Sequence, residues 1–311
     1  MPDSPILVTG GAGFIGSTLV DALLARGCAV RVLDNLSTGK RANLPEHPRL
    51  ELRVGDVADS ELAREAVRGC RAVVHLAAVA SVQASVEDPL GTHRSNLIGT
   101  LNLCEAMRNE GVKRVVFASS AAVYGNNGEG RAVGENTPAA PLTPYAVDKL
   151  ASEHYLDFYR RQHGLEPAVF RFFNIYGPRQ DPSSPYSGVI SIFAERARSG
   201  LPITVFGDGE QTRDFVFVAD LVAVLVQALE APTLEAGPVN LGLGQSVSLN
   251  QLLSAVGELL GPLPPVTYLA ARAGDIRHSR ADNRRLLQRF QLAAPMPMKE
   301  GLARLMALSG P

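Results

Sequence analysis

Three glycines at a spacing of three, Gly10, Gly13 and Gly16, separate a short apolar run from a stretch of helical character. The run is Pro5-Ile6-Leu7-Val8; the helical stretch covers residues 17–26 and stops at Gly27. Strand, glycine turn and helix in this order constrain the fold more than any other segment. The turn must be tight, and the helix must pack closely on the strand it follows. The pattern is G-x-x-G-x-x-G, where G-x-G-x-x-G is more familiar, but its context is that of a dinucleotide fingerprint. Backbone can approach a pyrophosphate there, and the helix start offers it unpaired N–H groups and partial positive charge.

A second strand, residues 29–33, ends in Asp34, eighteen residues beyond Gly16. An acid at this place can hydrogen-bond both ribose hydroxyls and repels a 2′-phosphate, so NAD is expected over NADP. Lys40 and Arg41 in the following loop could soften that preference. Residues 50–57 read as a third strand whose end, Asp56 and Val57, could meet an adenine; a turn or helix cap at Asp56 is the equal alternative.

Further apolar runs of buried-strand length follow at 72–76, 114–118 and 168–173, separated by helical stretches at about 60–68, 92–110 and 145–163. Near-continuous strands alternating with amphipathic helices predict an α/β fold, a Rossmann-type doubly wound parallel sheet with ligands at the strands' carboxyl ends. Beyond residue 174 the beat changes. Short elements are expected there: helices near 188–199 and 248–260, and strands near 203–206, 215–217 and 266–269. The expected division is 1–173 for the dinucleotide-binding domain, joined by about 214–240 with its helix 218–230, and 174–311 for a smaller substrate-binding lobe.

A net charge of −1 gives no reason to expect nucleic acid or an anionic membrane as partner. Cys28, Cys70 and Cys104 have spacings that fit no zinc site and read as reduced thiols, so no metal and a cytoplasmic location are expected. No apolar run is long enough to span a bilayer.

Tyr145 and Lys149 lie four apart in the 145–163 helix, hence on one face. A phenol ordinarily ionises near pH ~10; a neighbouring ammonium favours the phenolate, so the pair can act as general base and acid.

Taken in order, TGGAGFIG, Asp34-Asn35-Leu36, His75-Leu76-Ala77-Ala78, Ala118-Ser119-Ser120, Tyr145-x-x-x-Lys149 and Arg171-Phe172-Phe173-Asn174 resemble the extended short-chain dehydrogenase/reductase family. Within it, the chain is most similar to the NAD-dependent UDP-hexose (UDP-glucose and UDP-N-acetylglucosamine) 4-epimerases, a class of isomerases in carbohydrate metabolism. The resemblance, over about residues 5–295, implies a catalytic group of Ser120, Tyr145 and Lys149. It implies tightly held NAD, regenerated in each turnover, and a transient 4-keto sugar. Implied cofactor contacts are Gly10, Gly13, Phe14, Ile15, Gly16, Asp34, Asn35, Asp56, Val57, Leu76, Ala77, Ala78 and Asn96, besides Tyr145 and Lys149. Implied substrate contacts are Asn174, Val189, Arg213, Arg272, Asp275 and Ser279, besides Ser120 and Tyr145. A guanidinium grips phosphate oxygens bidentately, which suits Arg213 and Arg272 to a nucleotide diphosphate.

Family branches differ after the serine. The 4,6-dehydratases carry Asp-Glu there and the decarboxylases a Glu nearby; this chain has Ala121 and Ala122, which move no proton. Epimerisation is then expected, with a nucleotide-sugar 4-ketoreductase or dehydrogenase as the alternative. A non-catalytic dinucleotide sensor, the alternative of another class, would not need all three catalytic residues. In the resembling enzymes the residue seven beyond the lobe's arginine borders the sugar 2-substituent, and a small one admits an N-acetyl group. Here it is Ser279, so UDP-GlcNAc and UDP-GalNAc are expected substrates, with UDP-Glc and UDP-Gal possible alongside. The family often has a tyrosine before Asn96, where this chain reads Gly91-Thr92-His93-Arg94-Ser95, and the 80–85 loop singles out no substrate. The helices near 92–110 and 145–163 are expected to form a homodimer interface.

Overall fold

A computed structural model of the chain describes residues 4–128, 130–181, 188–271, 276–292 and 294–307. It divides into two compact units. The first comprises residues 1–123, 143–171 and 222–239, and the second 124–142, 172–221 and 240–311. Residues 124–142 and 214–221 thus belong to the second unit, where the boundary read from the sequence puts them in the first.

In the first unit, strands β1 (Ile6–Thr9), β2 (Val30–Asp34), β3 (Leu50–Val54), β4 (Ala72–His75), β5 (Arg114–Ser120) and β6 (Glu166–Phe172) alternate with helices. These are α1 (Phe14–Ala25), α2 (Ser60–Val67), α3 (Val82–Glu87), α4 (Pro89–His93), α5 (Gly99–Glu110) and α6 (Pro144–His163). β1 pairs in parallel with β2 and β4, β2 with β3, and β4 with β5. The seven-stranded sheet has the order β11-β6-β5-β4-β1-β2-β3, with β11 (Val239–Leu241) at its edge. Chain order reverses between β1 and β4, which opens the crevice in which doubly wound sheets bind ligands. Ile6, Leu7 and Val8 have no exposed surface, as a central strand covered on both faces requires. One side is filled by Val67, Val73, Leu103, Met107, Val115, Phe117 and Leu156.

The stretch read as one helix over 92–110 is interrupted. α4 passes into a π-helical turn, Arg94–Ile98, before α5 begins. Thr100 Oγ1 donates to the Asn96 carbonyl at 2.6 Å, and the Asn96 side chain bonds the backbone of Val79. Side-chain bonds to helical carbonyls compete with the regular ladder, and single π turns recur at functional sites.

The second unit contains β7 (Asn174–Tyr176), α7 (Val189–Arg198), β8 (Ile203–Phe206), β9 (Thr212–Arg213), β10 (Phe215–Phe217) and β12 (Val247–Ser248). With them come α9 (Leu249–Leu260), β13 (Val266–Leu269), α10 (Arg284–Arg289) and α11 (Met298–Ala307); α8 (Val218–Glu230) begins here and continues in the first unit. Tyr176, Phe193, Val205, Phe217, Leu252 and Leu302 form its core. Asp214, fully buried, accepts backbone N–H bonds from Leu243, Gly244 and Ala281 at 2.9–3.0 Å and so ties its loops to the β9–β10 junction. No helix among the described residues is long and apolar enough to cross a membrane.

Candidate active site

The glycine turn lies against the end of β4. Gly10 has φ +69°, and a Cβ there would meet the backbone N of Ala77 at 2.8 Å. A Cβ on Gly16 would stand 2.1 Å from the Gly10 carbonyl oxygen. Only glycine keeps the turn this close to its neighbours. Gly13 is the N-cap of α1 and makes no side-chain cap bond; Phe14 and Ile15 open the helix, whose first turn carries no acid. The first N–H groups of such a helix lack intrahelical partners and face an incoming anion.

Asp34, the last residue of β2, is buried. Its Oδ2 accepts from Ala12 N at 2.9 Å and its Oδ1 from Leu36 N at 2.8 Å, and Gly39 packs against it. The carboxylate is thereby held rigidly beside the turn, and each oxygen retains a lone pair for a ribose hydroxyl. Asn35 is exposed and its Oδ1 accepts from Ser37 N at 3.1 Å. Asp56 takes the turn role, accepting from Ala58 N at 2.9 Å, while Val57 is buried against Gly99. Leu76, Ala77 and Ala78 line the loop after β4, and the Asn96 amide clamps that loop through both backbone groups of Val79 at 2.8 and 3.2 Å. A tight glycine cradle, an open helix start and a buried acid at the next strand end fit a dinucleotide with free ribose hydroxyls.

Three residues that the motifs do not mark as chemistry, Thr9, His75 and Thr100, stand behind this loop. His75 is buried between Thr9 Oγ1 (2.8 Å from Nδ1) and Thr100 Oγ1 (3.0 Å from Nε2). Thr100 uses its proton on the Asn96 carbonyl, so it accepts from His75 Nε2–H, and Nδ1 accepts from Thr9. Thr9 in turn accepts from Ala77 N at 3.2 Å. Burial pushes His75 down from 6.5 to about 3, and the Lys149 charge adds to this.

Ser120 ends β5, and its Oγ accepts from Ala122 N at 3.1 Å. Thr143 caps α6 by accepting from Ala146 N, and Pro144 occupies the first turn, which starts the helix in time to present Tyr145. Ser120 also acts on the Tyr145 phenol, which it favours in the ionised form. Lys149, 4% exposed, holds its Nζ 4.9 Å from the centre of the Phe117 ring and 5.9 Å from that of Tyr145. Burial lowers Lys149 from 10.5 to about 8, against the pull of Asp148 and Glu153. Tyr145 is raised above its usual 10 by burial, and Ser120 works the other way. Desolvation, which penalises the charged forms of both groups, thus sets the direction at Tyr145, in place of the depression expected from Lys149.

One turn beyond Lys149, Glu153 receives Arg171 Nε at 2.9 Å, Arg171 Nη2 at 2.6 Å and the hydroxyl of Ser119. No motif reading marked Glu153. The available signal was a carboxylate continuing the 145, 149 stripe on the same helical face.

In the second unit, Asn174 opens β7 and its N donates to the Asp214 carbonyl at 3.0 Å, and Val189 opens α7. Arg213 Nη1 bonds the carbonyls of Thr212 and Ile276 at 2.9 and 2.7 Å. Ser279 N bonds the Thr212 carbonyl at 3.2 Å, so Arg213 and Ser279 share one neighbourhood, with Ser279 half-exposed. Arg272 and Asp275 lie outside the described residues.

Comparison with known proteins agrees with this geometry. The model of the NAD dependent epimerase/dehydratase family matches residues 6–242. A UDP-glucose 4-epimerase of Mycolicibacterium smegmatis is 39% identical, covering 96% of each chain. Among solved structures, a UDP-N-acetylglucosamine 4-epimerase of Methanobrevibacter ruminantium in complex with UDP-N-acetylmuramic acid superposes with a TM-score of 0.93, at 36% identity over 99% of both chains. A Thermus thermophilus UDP-glucose 4-epimerase in complex with NAD does so with a TM-score of 0.89, at 42% identity over 98% of both. With this fold, this cradle and a match over most of its length, the chain belongs to the NAD dependent epimerase/dehydratase family.

Proposed function

We propose that the protein is an isomerase that interconverts the C4 epimers of a UDP-sugar, with the N-acetylated pair UDP-GlcNAc and UDP-GalNAc among its substrates. The observation that carries the reading is the Ser120–Tyr145–Lys149 group beside a dinucleotide cradle, with Ala121 and Ala122, not acids, next along the chain. The relatives named as UDP-glucose and UDP-N-acetylglucosamine 4-epimerases support it. NAD, held by the 10–16 turn, Asp34 and the 76–78 loop, would supply the oxidising and then the reducing equivalents for a single sugar carbon.

The chain's own residues then move one proton. Tyr145, as phenolate, takes it from the sugar 4-hydroxyl and returns it once the ketone is reduced, so no net proton is exchanged. Ser120 hydrogen-bonds the same oxygen and favours the phenolate. Lys149 opposes, by its charge, the desolvation that holds the phenol protonated. Reduction from the opposite face, after the keto sugar turns about its diphosphate link, inverts C4. In the second unit, Asn174, Val189, Arg213, Arg272, Asp275 and Ser279 are assigned to the nucleotide diphosphate and the sugar.

Proton NMR of the purified protein with UDP-GlcNAc and, separately, UDP-Glc tests this with no cofactor added. Appearance of the matching galacto sugar supports the reading; turnover of a keto sugar only when NADH or NADPH is supplied would replace it with a reductase. Ser279→Tyr should abolish conversion of the acetylated pair and spare the plain pair, and equal loss on both would remove the specificity claim.

Leu90 on α4, Val147, Tyr155 and Phe158 on α6 and Ile98 in the π turn are exposed apolar side chains on neighbouring helices. We assign this face to a homodimer.

A further inference from the structure

Residues 145, 149 and 153 form one stripe along α6, each a turn from the next. The carboxylate at the end of the stripe ties the helix to two adjacent strands. Ser119, which immediately precedes Ser120 on β5, donates to Glu153 Oε1, and Arg171 of β6 donates to both oxygens. The side chains of the ion pair are 7% and 8% exposed. Desolvation makes so buried a pair a poor source of net stability compared with an apolar contact of equal volume. What directional bonds add is geometry: they admit one rotation of α6 over β5.

The same carboxylate belongs to the electrostatics of Lys149. From its own helix Lys149 faces Tyr145, Asp148 and Glu153; Asp148 in turn bonds His93 of α4 at 2.8 Å. From β4 it faces His75 and from β5 the Phe117 ring, while Arg171 of β6 pairs with Glu153.

We propose that Glu153, with Arg171 and Ser119, is a positioning group for the catalytic pair. It sets the rotation of α6 that presents Tyr145 toward the end of β5 at Ser120, and it keeps a compensated negative charge one turn from the Lys149 ammonium. The kinetic part of the test rests on the epimerase reading; the spectroscopic part does not.

Glu153→Gln, made in the protein as purified, preserves shape and removes the charge. Its kcat on the UDP-sugar turned over is expected to fall about tenfold or more with KM within about threefold. The high-pH limb of kcat should move to lower pH, because Lys149 loses a neighbouring carboxylate that favours its ammonium. Glu153→Asp should return the limb toward its original place. A folded Glu153→Gln protein with unchanged kcat and limb would overturn the proposal. So would loss of kcat in proportion to the folded fraction, with the limb unmoved.

The double variant Glu153→Gln/Arg171→Met removes both charges and leaves no buried ion alone. Its Tyr145 phenol, followed by NMR of ring-labelled tyrosine and assigned with Tyr145→Phe, should titrate at higher pH than in the unaltered protein, because the phenolate-favouring influence of Ser120 is lost. Coincident titrations overturn the proposal. This holds even where no UDP-sugar is turned over, an outcome that by itself would overturn only the epimerase reading.

Discussion

Replacing His75 by glutamine should flatten the loss of stability on acidification, because this imidazole is stored neutral. Its Nε2–H is given to Thr100 and its Nδ1 receives Thr9, so a second ring proton would leave the Thr9 hydroxyl without its acceptor. Burial holds the folded-state value at about 3, against 6.5 when the chain is open. The native state then binds fewer protons than the unfolded state between those limits. The stabilisation is complete above pH 6.5 and is lost as pH falls toward about 3. Taking the unfolded chain at 6.5 and the native one as unprotonated, acidification from pH 7 to pH 5 costs about 2 kcal/mol through this group. The His75→Gln side chain would carry an amide donor and acceptor but no titration. Urea unfolding of both proteins at pH 7 and pH 5, followed by circular dichroism, should show their stability difference shrinking by about that amount in the acid. Equal losses in the two proteins would refute the reasoning, since His75 would then titrate alike folded and unfolded.

Gly16→Ala places a methyl group 2.1 Å from the Gly10 carbonyl oxygen, with Gly11 Cα and Gly10 C within 2.8 Å. All three are backbone atoms, so the turn must open, at a cost of about 1–3 kcal/mol; the purified variant should carry no NAD, and retained NAD measured after denaturation would contradict the cradle. For Lys149, burial has lowered the value to about 8, and catalysis needs the ammonium. Accordingly kcat should decline above pH about 8, and a plateau reaching pH ~10, the ordinary range of a lysine, would show that the charge is not required. Leu90→Glu combined with Phe158→Glu should yield a monomer by light scattering after gel filtration, whereas an unchanged mass would place any interface elsewhere.

Much of this protein is legible along the chain. The strands 203–206, 215–217 and 266–269 and the helix 218–230 fall where the pattern puts them, because periodicity and breakers are local properties. The glycine turn, Asp34 and the Tyr145–Lys149 spacing are local for the same reason, each being set within one βα unit or one helix. Other features are not local. Thr9 meets His75 across 66 positions, and Ser119 meets Glu153 across 34. The π turn depends on Asn96 reaching back 17 residues to Val79. Spacing alone gives the wrong direction for the Tyr145 shift, because neighbour charge can be read from sequence but depth cannot. Sequence by itself determined which groups the site can contain. Tertiary packing decided which are neutral, which are charged and how rigidly they are held, because desolvation and hydrogen-bond geometry exist only once distant strands and helices close around them.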